Sequence, residues 1–181
     1  MLSCDSGMPD GEIDAGGDGN VDNVFLDEVQ QRTFQFFWET TNPDNGLTPD
    51  RAPNPPFSSI AAVGFALTSY GVGAERGYIT RDQAAERTFT TLQFFLEADT
   101  GPQEAGVTGY KGFFYHFLDM DTGHRYQNTE LSTIDTSLLM AGVLFAQSYF
   151  DRDVAMEDQI RQYADSLYRQ MDWGWFTDDQ G

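Results

Sequence analysis

The chain has 181 residues, enough for one domain or for part of a larger one. Its residues are 40% hydrophobic and 14% aromatic, which is ample for a buried core. A formal charge of −19, from 29 acids against 10 bases, repels nucleic acid and anionic headgroups and argues against both as partners.

No run of about 18 or more apolar residues occurs, so no membrane-spanning helix is expected. The single cysteine, Cys4, rules out an intrachain disulfide. Its setting, Met1-Leu2-Ser3-Cys4, looks like the end of a bacterial lipoprotein signal, where the cysteine becomes the lipidated first residue. The alternative is an incidental free thiol. Residues 5–22 are rich in Gly and Asp and poor in apolar groups, so 1–22 is expected to be a flexible acidic tether after a lipidated Cys4. Membrane contact is then expected only through that lipid anchor. Asp18-x-Asn20-x-Asp22 imitates the start of a calcium loop, but Asn23 stands at the turn glycine and Val29 at the final glutamate. Solvated tail is the better reading.

From about residue 23 the apolar period is helical. Phe25, Val29, Phe36 and Phe37 fall on one face of a first helix that stops before Asn42-Pro43. Residues 46–57 carry four prolines and read as an extended loop. A second helix opens at Ser58-Ser59, aligns Ile60, Val63, Leu67 and Tyr70, and is expected to end at Gly71 and Gly73. Thr80 and Gln83 form a capping box for a third, with Ala84, Thr88, Leu92 and Phe95 inward. The fourth begins at Ser132 and runs through Ile134, Leu138, Val143 and Ala146 to about Phe150. Asp153 is the expected cap of the fifth, with Ile160, Tyr163, Leu167 and Met171 inward.

This order contains a repeat. Ser59-Ile60-Ala61 and Thr133-Ile134-Asp135 each start an apolar helix, and each is followed by a polar helix carrying Arg81-Asp82-Gln83 or Glu157-Asp158-Gln159. Hairpins with an apolar inner and an amphipathic outer helix build solenoids or closed α/α toroids. Five helices do not close a ring of six hairpins. The expected fold is therefore all-α, a partial (α/α)6 toroid, rather than a complete small bundle.

Between the third and fourth helices lie about 30 residues, longer than the roughly 2–8 of a plain helix connection. In residues 112–128 the apolar residues alternate and Asp121-Thr122-Gly123 makes a turn, which predicts a β-hairpin insert. Phe113, Tyr115 and His116 offer stacking faces and a polar edge suited to sugar rings; otherwise these aromatics cover the end of the barrel. His116 and His124 lack further His or Cys to complete a metal site, so no metal is expected. Glu130 and Asp135 stand at the start of the fourth helix, where its positive end favours carboxylates. Such a pair suits glycosidic hydrolysis, one acid protonating the leaving oxygen and one base activating water. Ser132-x-x-Asp135 is equally a helix-capping box, although the corresponding position of the other repeat is Ala61, so the hairpin itself needs no acid there.

The segments GLTPDR (46–51), SSIAAVGFALTSY with GVGAERGYITRDQA (58–84), GFFYHFLDMDTG (112–123) and ELSTIDTSLLMAGVLFAQSYF (130–150) resemble the bacterial glucoamylase-like family. That family is related to endo-β-1,2-glucanases and to a domain of cyclic β-1,2-glucan synthases. The resemblance implies that residues 23–181 are the N-terminal half of a six-hairpin toroid acting on glucan in the bacterial cell envelope, either in the periplasm or lipid-anchored at the outer membrane. It implies an oligo- or polysaccharide partner, no cofactor, and matching polar residues at Asp50, Arg51, His116, Glu130 and Asp135. Tyr115, His116 and Arg51 would position sugar rings and hydroxyls. A later Tyr-Asn-Glu-Ala-type motif, expected to supply the acid, does not occur in these 181 residues. This length of chain is accordingly expected to hold half of the active site and to be inactive alone. Two rival expectations stand beside this one: a lipid-tethered carbohydrate-binding protein without catalysis, and a helical-repeat scaffold for proteins. The long aromatic insert argues against the scaffold, because such arrays use short turns.

Overall fold

A computed structural model describes residues 19–53 and 55–177, apart from the side chains of 19–22 and of Phe176. Cys4, residues 5–18 of the acidic stretch, and Asp18 of the calcium-loop pattern lie outside the described residues. Helix α1 (Gly19–Thr40) starts at Gly19 rather than near residue 23, so Asn20 and Asp22 sit on helical backbone. No helix among the described residues is long and apolar enough to cross a membrane.

Two helical hairpins form the body, α2 (Ile60–Glu75) with α3 (Arg81–Glu97), and α4 (Thr133–Tyr149) with α5 (Ala155–Arg169). The apolar helices α2 and α4 pack on each other, the amphipathic helices α3 and α5 do the same, and α1 lies against α2. The expected hairpin architecture therefore holds. The inner contact is backbone on backbone. A Cβ on Gly64 would lie 2.3 Å from the Leu138 carbonyl oxygen, and one on Gly142 would lie 2.2 Å from that of Gly64. Only residues without a side chain allow this approach.

The outer contact combines apolar packing, with Phe89 stacked on Tyr163, and an ion pair. Arg81 and Glu157 occupy corresponding positions of the two repeats and pair with each other, Arg81 Nε and Nη2 donating to the carboxylate at 2.8 and 2.9 Å. Arg81 Nη2 also donates to the Tyr149 carbonyl at 2.7 Å, and the guanidinium lies 4.5 Å from the centroid of the Tyr149 ring. Side-chain exposure is 16% for Arg81 and 4% for Glu157, so solvent screens this pair little.

Packing confirms several stripes and shifts others. Ile60, Val63, Leu67 and Tyr70 are buried, as are Ala84, Thr88, Leu92 and Phe95, and both halves of the Thr80–Gln83 capping box form. On α1 the buried ring is Phe34, while Phe25 is 62% exposed and Val29 is exposed too. Gly71 and Gly73 do not end α2; their bare backbones admit the rings of Phe145 and Phe34. On α4, Val143 and Ala146 are buried but Ile134 is 74% exposed, and Leu139 and Met140 point inward instead of Leu138. Asp153 does not cap α5. The N-cap is Val154 without a side-chain bond, and Glu157 Oε2 accepts from the Arg152 N–H at 2.8 Å instead.

The connecting segments make two small sheets. β1 (Phe57–Ser59) pairs with β4 (Phe117–Asp119), and β3 (Phe113–Tyr115) lies between β2 (Gly109–Tyr110) and β5 (Leu131–Ser132), all antiparallel. The expected hairpin insert forms within 112–128, and a second, tighter hairpin lies just before it. The tight turn is Lys111-Gly112, with φ of 53° and 82°, between β2 and β3. Both central residues are left-handed, as a type I′ turn requires. The Asp121-Thr122-Gly123 turn, closed by a Gly123 N–H to Asp119 carbonyl bond of 2.9 Å, joins the arms of the expected hairpin, which meet at the Leu118–Arg125 bridge and through the Asp119 N–H on the His124 carbonyl at 2.8 Å and the Tyr126 N–H on the Phe117 carbonyl at 2.9 Å. A last short helix, α6 (Trp173–Phe176), follows α5.

Candidate active site

His116, between β3 and β4, lies across the N-terminal ends of both inner helices. Its N–H donates to the Glu130 carbonyl at 3.0 Å, just before α4, and its carbonyl accepts from the N–H of Ile60, the first residue of α2, at 3.3 Å. The side chain repeats the pattern with the two acids. Nδ1 is 2.8 Å from Glu130 Oε1, and Nε2 is 3.8 Å from Asp135 Oδ2. Glu130 and Asp135 thus flank one imidazole at the mouth of the hairpin pair.

The two carboxylates sit in different surroundings. Glu130 is 67% exposed, and its carboxyl is held below the usual range by its own backbone N–H first and by His116 second. Asp135 is 19% exposed. Its N–H donates to Ser132 Oγ at 3.1 Å, while the Ser132 hydroxyl bonds to Asp135 Oδ2. The capping bond to Ser132 therefore forms, but the carboxylate meets a hydroxyl rather than the backbone N–H of a full capping box. Oδ1 accepts no hydrogen bond among the described residues.

Asp50 and Arg51 reach the same mouth through aromatic rings. Arg51 Nη1 bonds to Asp50 Oδ2 at 2.6 Å, and its guanidinium lies 5.5 Å from the Phe57 centroid. Phe57 is 4.7 Å from Phe117, whose ring stacks on His116 at 3.9 Å. Tyr115 departs from its expected role. It is 8% exposed in the core, and the Arg125 guanidinium lies 4.5 Å from its ring centroid, so that face is not offered to a sugar. The alternation that turns His116 outward turns Tyr115 inward. Sequence reasoning missed Phe57, Phe117 and Tyr126. Their signal was available in FSS and FLD, where an aromatic occupies the position alternate to a buried residue. An apolar groove of about 330 Å³ between α1 and α2, lined in part by Phe34, Phe37, Phe65 and Val72, shares no residue with this mouth and carries no acid.

The mouth thus joins two stacked helical hairpins with two carboxylates beside one imidazole. This chain is a homologue of glucoamylase-like and β-1,2-glucanase proteins, as its resemblance implied. It is 30% identical over 162 residues to an exo β-1,2-glucooligosaccharide sophorohydrolase (non-reducing end) from Parabacteroides distasonis, covering 86% of this chain and 21% of that one. The crystal structure of a β-1,2-glucanase from Parabacteroides distasonis superposes with TM-score 0.74 at 30% identity, over 86% of this chain and 22% of the other. A candidate glucoamylase from Bacteroides uniformis superposes with TM-score 0.77 at 29% identity, over 88% and 38%. The chain spans about a fifth of the length of the curated relative it matches. No family model matches it.

Proposed function

We propose that this chain forms part of a glucan-cleaving site, with β-1,2-glucan as the favoured substrate and Glu130 and Asp135 as the carboxylates of an acid/base hydrolysis. The observation that carries the reading is the single imidazole of His116 held between those two acids. Glu130, kept ionised, suits the base that activates water, and Asp135 is the second carboxylate beside the same imidazole. His116 orients Glu130 and the Ser132 hydroxyl orients Asp135, while Arg51 with Asp50 supplies hydrogen bonds to sugar hydroxyls. The relatives named for β-1,2-linked substrates support the choice of linkage.

The test is the release of reducing ends from β-1,2-glucan by the full-length protein. Glu130→Gln and Asp135→Asn should each lower the rate by at least about 100-fold while glucan binding is retained. Binding without new ends, unchanged in both variants, would leave a carbohydrate-binding module. The reading also has the protein in the bacterial cell envelope, tethered through Cys4. Cells fed radiolabelled palmitate should label the wild-type protein and not Cys4→Ser; label on neither would remove the anchor.

A further inference from the structure

We propose that Phe57, Phe117 and Tyr126 form a stacking shelf for a glucosyl ring beside the two carboxylates, a subsite that rests on the glucan reading above. The two-stranded ribbon of β1 and β4 pairs Phe57 with Asp119, Ser58 with Leu118 and Ser59 with Phe117. Side chains alternate across a strand, so the fully buried Ser58 and Leu118 mark the inner face, and Phe57 and Phe117 share the opposite one. An outward face of such a ribbon ordinarily carries polar groups. Here it carries two phenylalanines, each half-buried, and Tyr126 joins them with its ring centroid 4.9 Å from that of Phe57.

The rings form a continuous surface. Successive planes from Tyr126 to Phe57, from Phe57 to Phe117 and from Phe117 to His116 are inclined by 37°, 48° and 28°. The surface ends on the imidazole that contacts Glu130, and its other border is the Arg51–Asp50 pair. A pyranose needs those two chemistries together: aromatic faces for its C–H side and charged donors and acceptors for its hydroxyl rim. The tether of Tyr126 to the ribbon is a backbone bond, its N–H donating to the Phe117 carbonyl at 2.9 Å. The position of the shelf is therefore set by main chain.

Calorimetric titration with a β-1,2-linked glucotetraose, and with β-1,4-linked cellotetraose as a second probe, tests the shelf. Phe57→Ala and Tyr126→Ala should each bind about tenfold more weakly, and Phe57→Tyr should restore most of the affinity. Folding of every variant is checked by circular dichroism, and should Phe57→Ala not fold, Tyr126→Ala and Phe57→Tyr decide. Wild-type affinity in a folded Tyr126→Ala and Phe57→Ala pair, with glucan still bound, overturns the shelf and leaves the glucan reading standing. Ring-dependent binding of cellotetraose alone keeps the shelf and removes the β-1,2 preference. No binding of either probe by the wild-type protein overturns both.

Discussion

Arg81→Met is expected to destabilise the protein by about 3–5 kcal/mol, because it strands a buried carboxylate. The pair itself contributes less than its breaking costs: bringing both charges out of water offsets much of their attraction. With Arg81 gone, the hydrogen bond left to Glu157 among the described residues is that from the Arg152 N–H, at a position 4% exposed. Urea unfolding followed by circular dichroism reads the loss, and a change under about 1 kcal/mol would show that water reaches the site. The pH dependence gives an independent check. The Arg81 hydrogen bond holds the Glu157 carboxyl below its ordinary value of 4.5, against the opposing pull of burial. Above that value the unfolded chain is ionised as well, and the stabilisation is complete. As pH falls below it, the unfolded state takes up the proton first, and stability declines through the folded-state value. Arg81→Met lacks this stabilisation, so the gap between variant and wild type should narrow on acidification.

Gly64→Val is expected to cost about 3 kcal/mol and to lower the melting temperature by about 8 °C. Glycine inside a helix is normally a weakness, and an alanine there would add roughly 0.5–1 kcal/mol. At the crossing of α2 and α4 the sign reverses. A Cβ at residue 64 meets the Leu138 carbonyl oxygen at 2.3 Å and the Leu139 Cα at 2.8 Å, and backbone atoms cannot rotate aside. The helices must separate instead, which opens the contacts of Leu67 and Val143 below them. A thermal melt that stays within about 1 °C of wild type would mean the crossing is looser than these distances.

The hairpin repeat was legible because burial in α2 and α3 follows helical period closely, from Ile60 through Tyr70 and from Ala84 through Phe95. Period fixes the phase of a stripe but not which neighbouring face finds a partner. That is why Ile134 and Phe25, correctly spaced, turned out exposed while Leu139 and Phe34 filled the contacts. The acids at the mouth were readable from their position at a helix start. Their meeting on His116 was not, because it depends on a strand register that pairs Tyr115 with Leu131, and so brings residue 116 opposite residue 130. The same register explains Tyr115: a shift of one residue would have exchanged its place with that of His116. The Asp121-Thr122-Gly123 turn was legible from its residues, and the Lys111-Gly112 turn carried a glycine signal too.

The Arg81–Glu157 contact also carries information about order. The two hairpins descend from one pattern, yet at this corresponding position one bears a cation and the other an anion. Two copies of the first hairpin set side by side would oppose guanidinium to guanidinium, and two of the second carboxylate to carboxylate. Neighbours are thus labelled as well as joined, and hairpins of one pattern keep their order by sign as well as by shape.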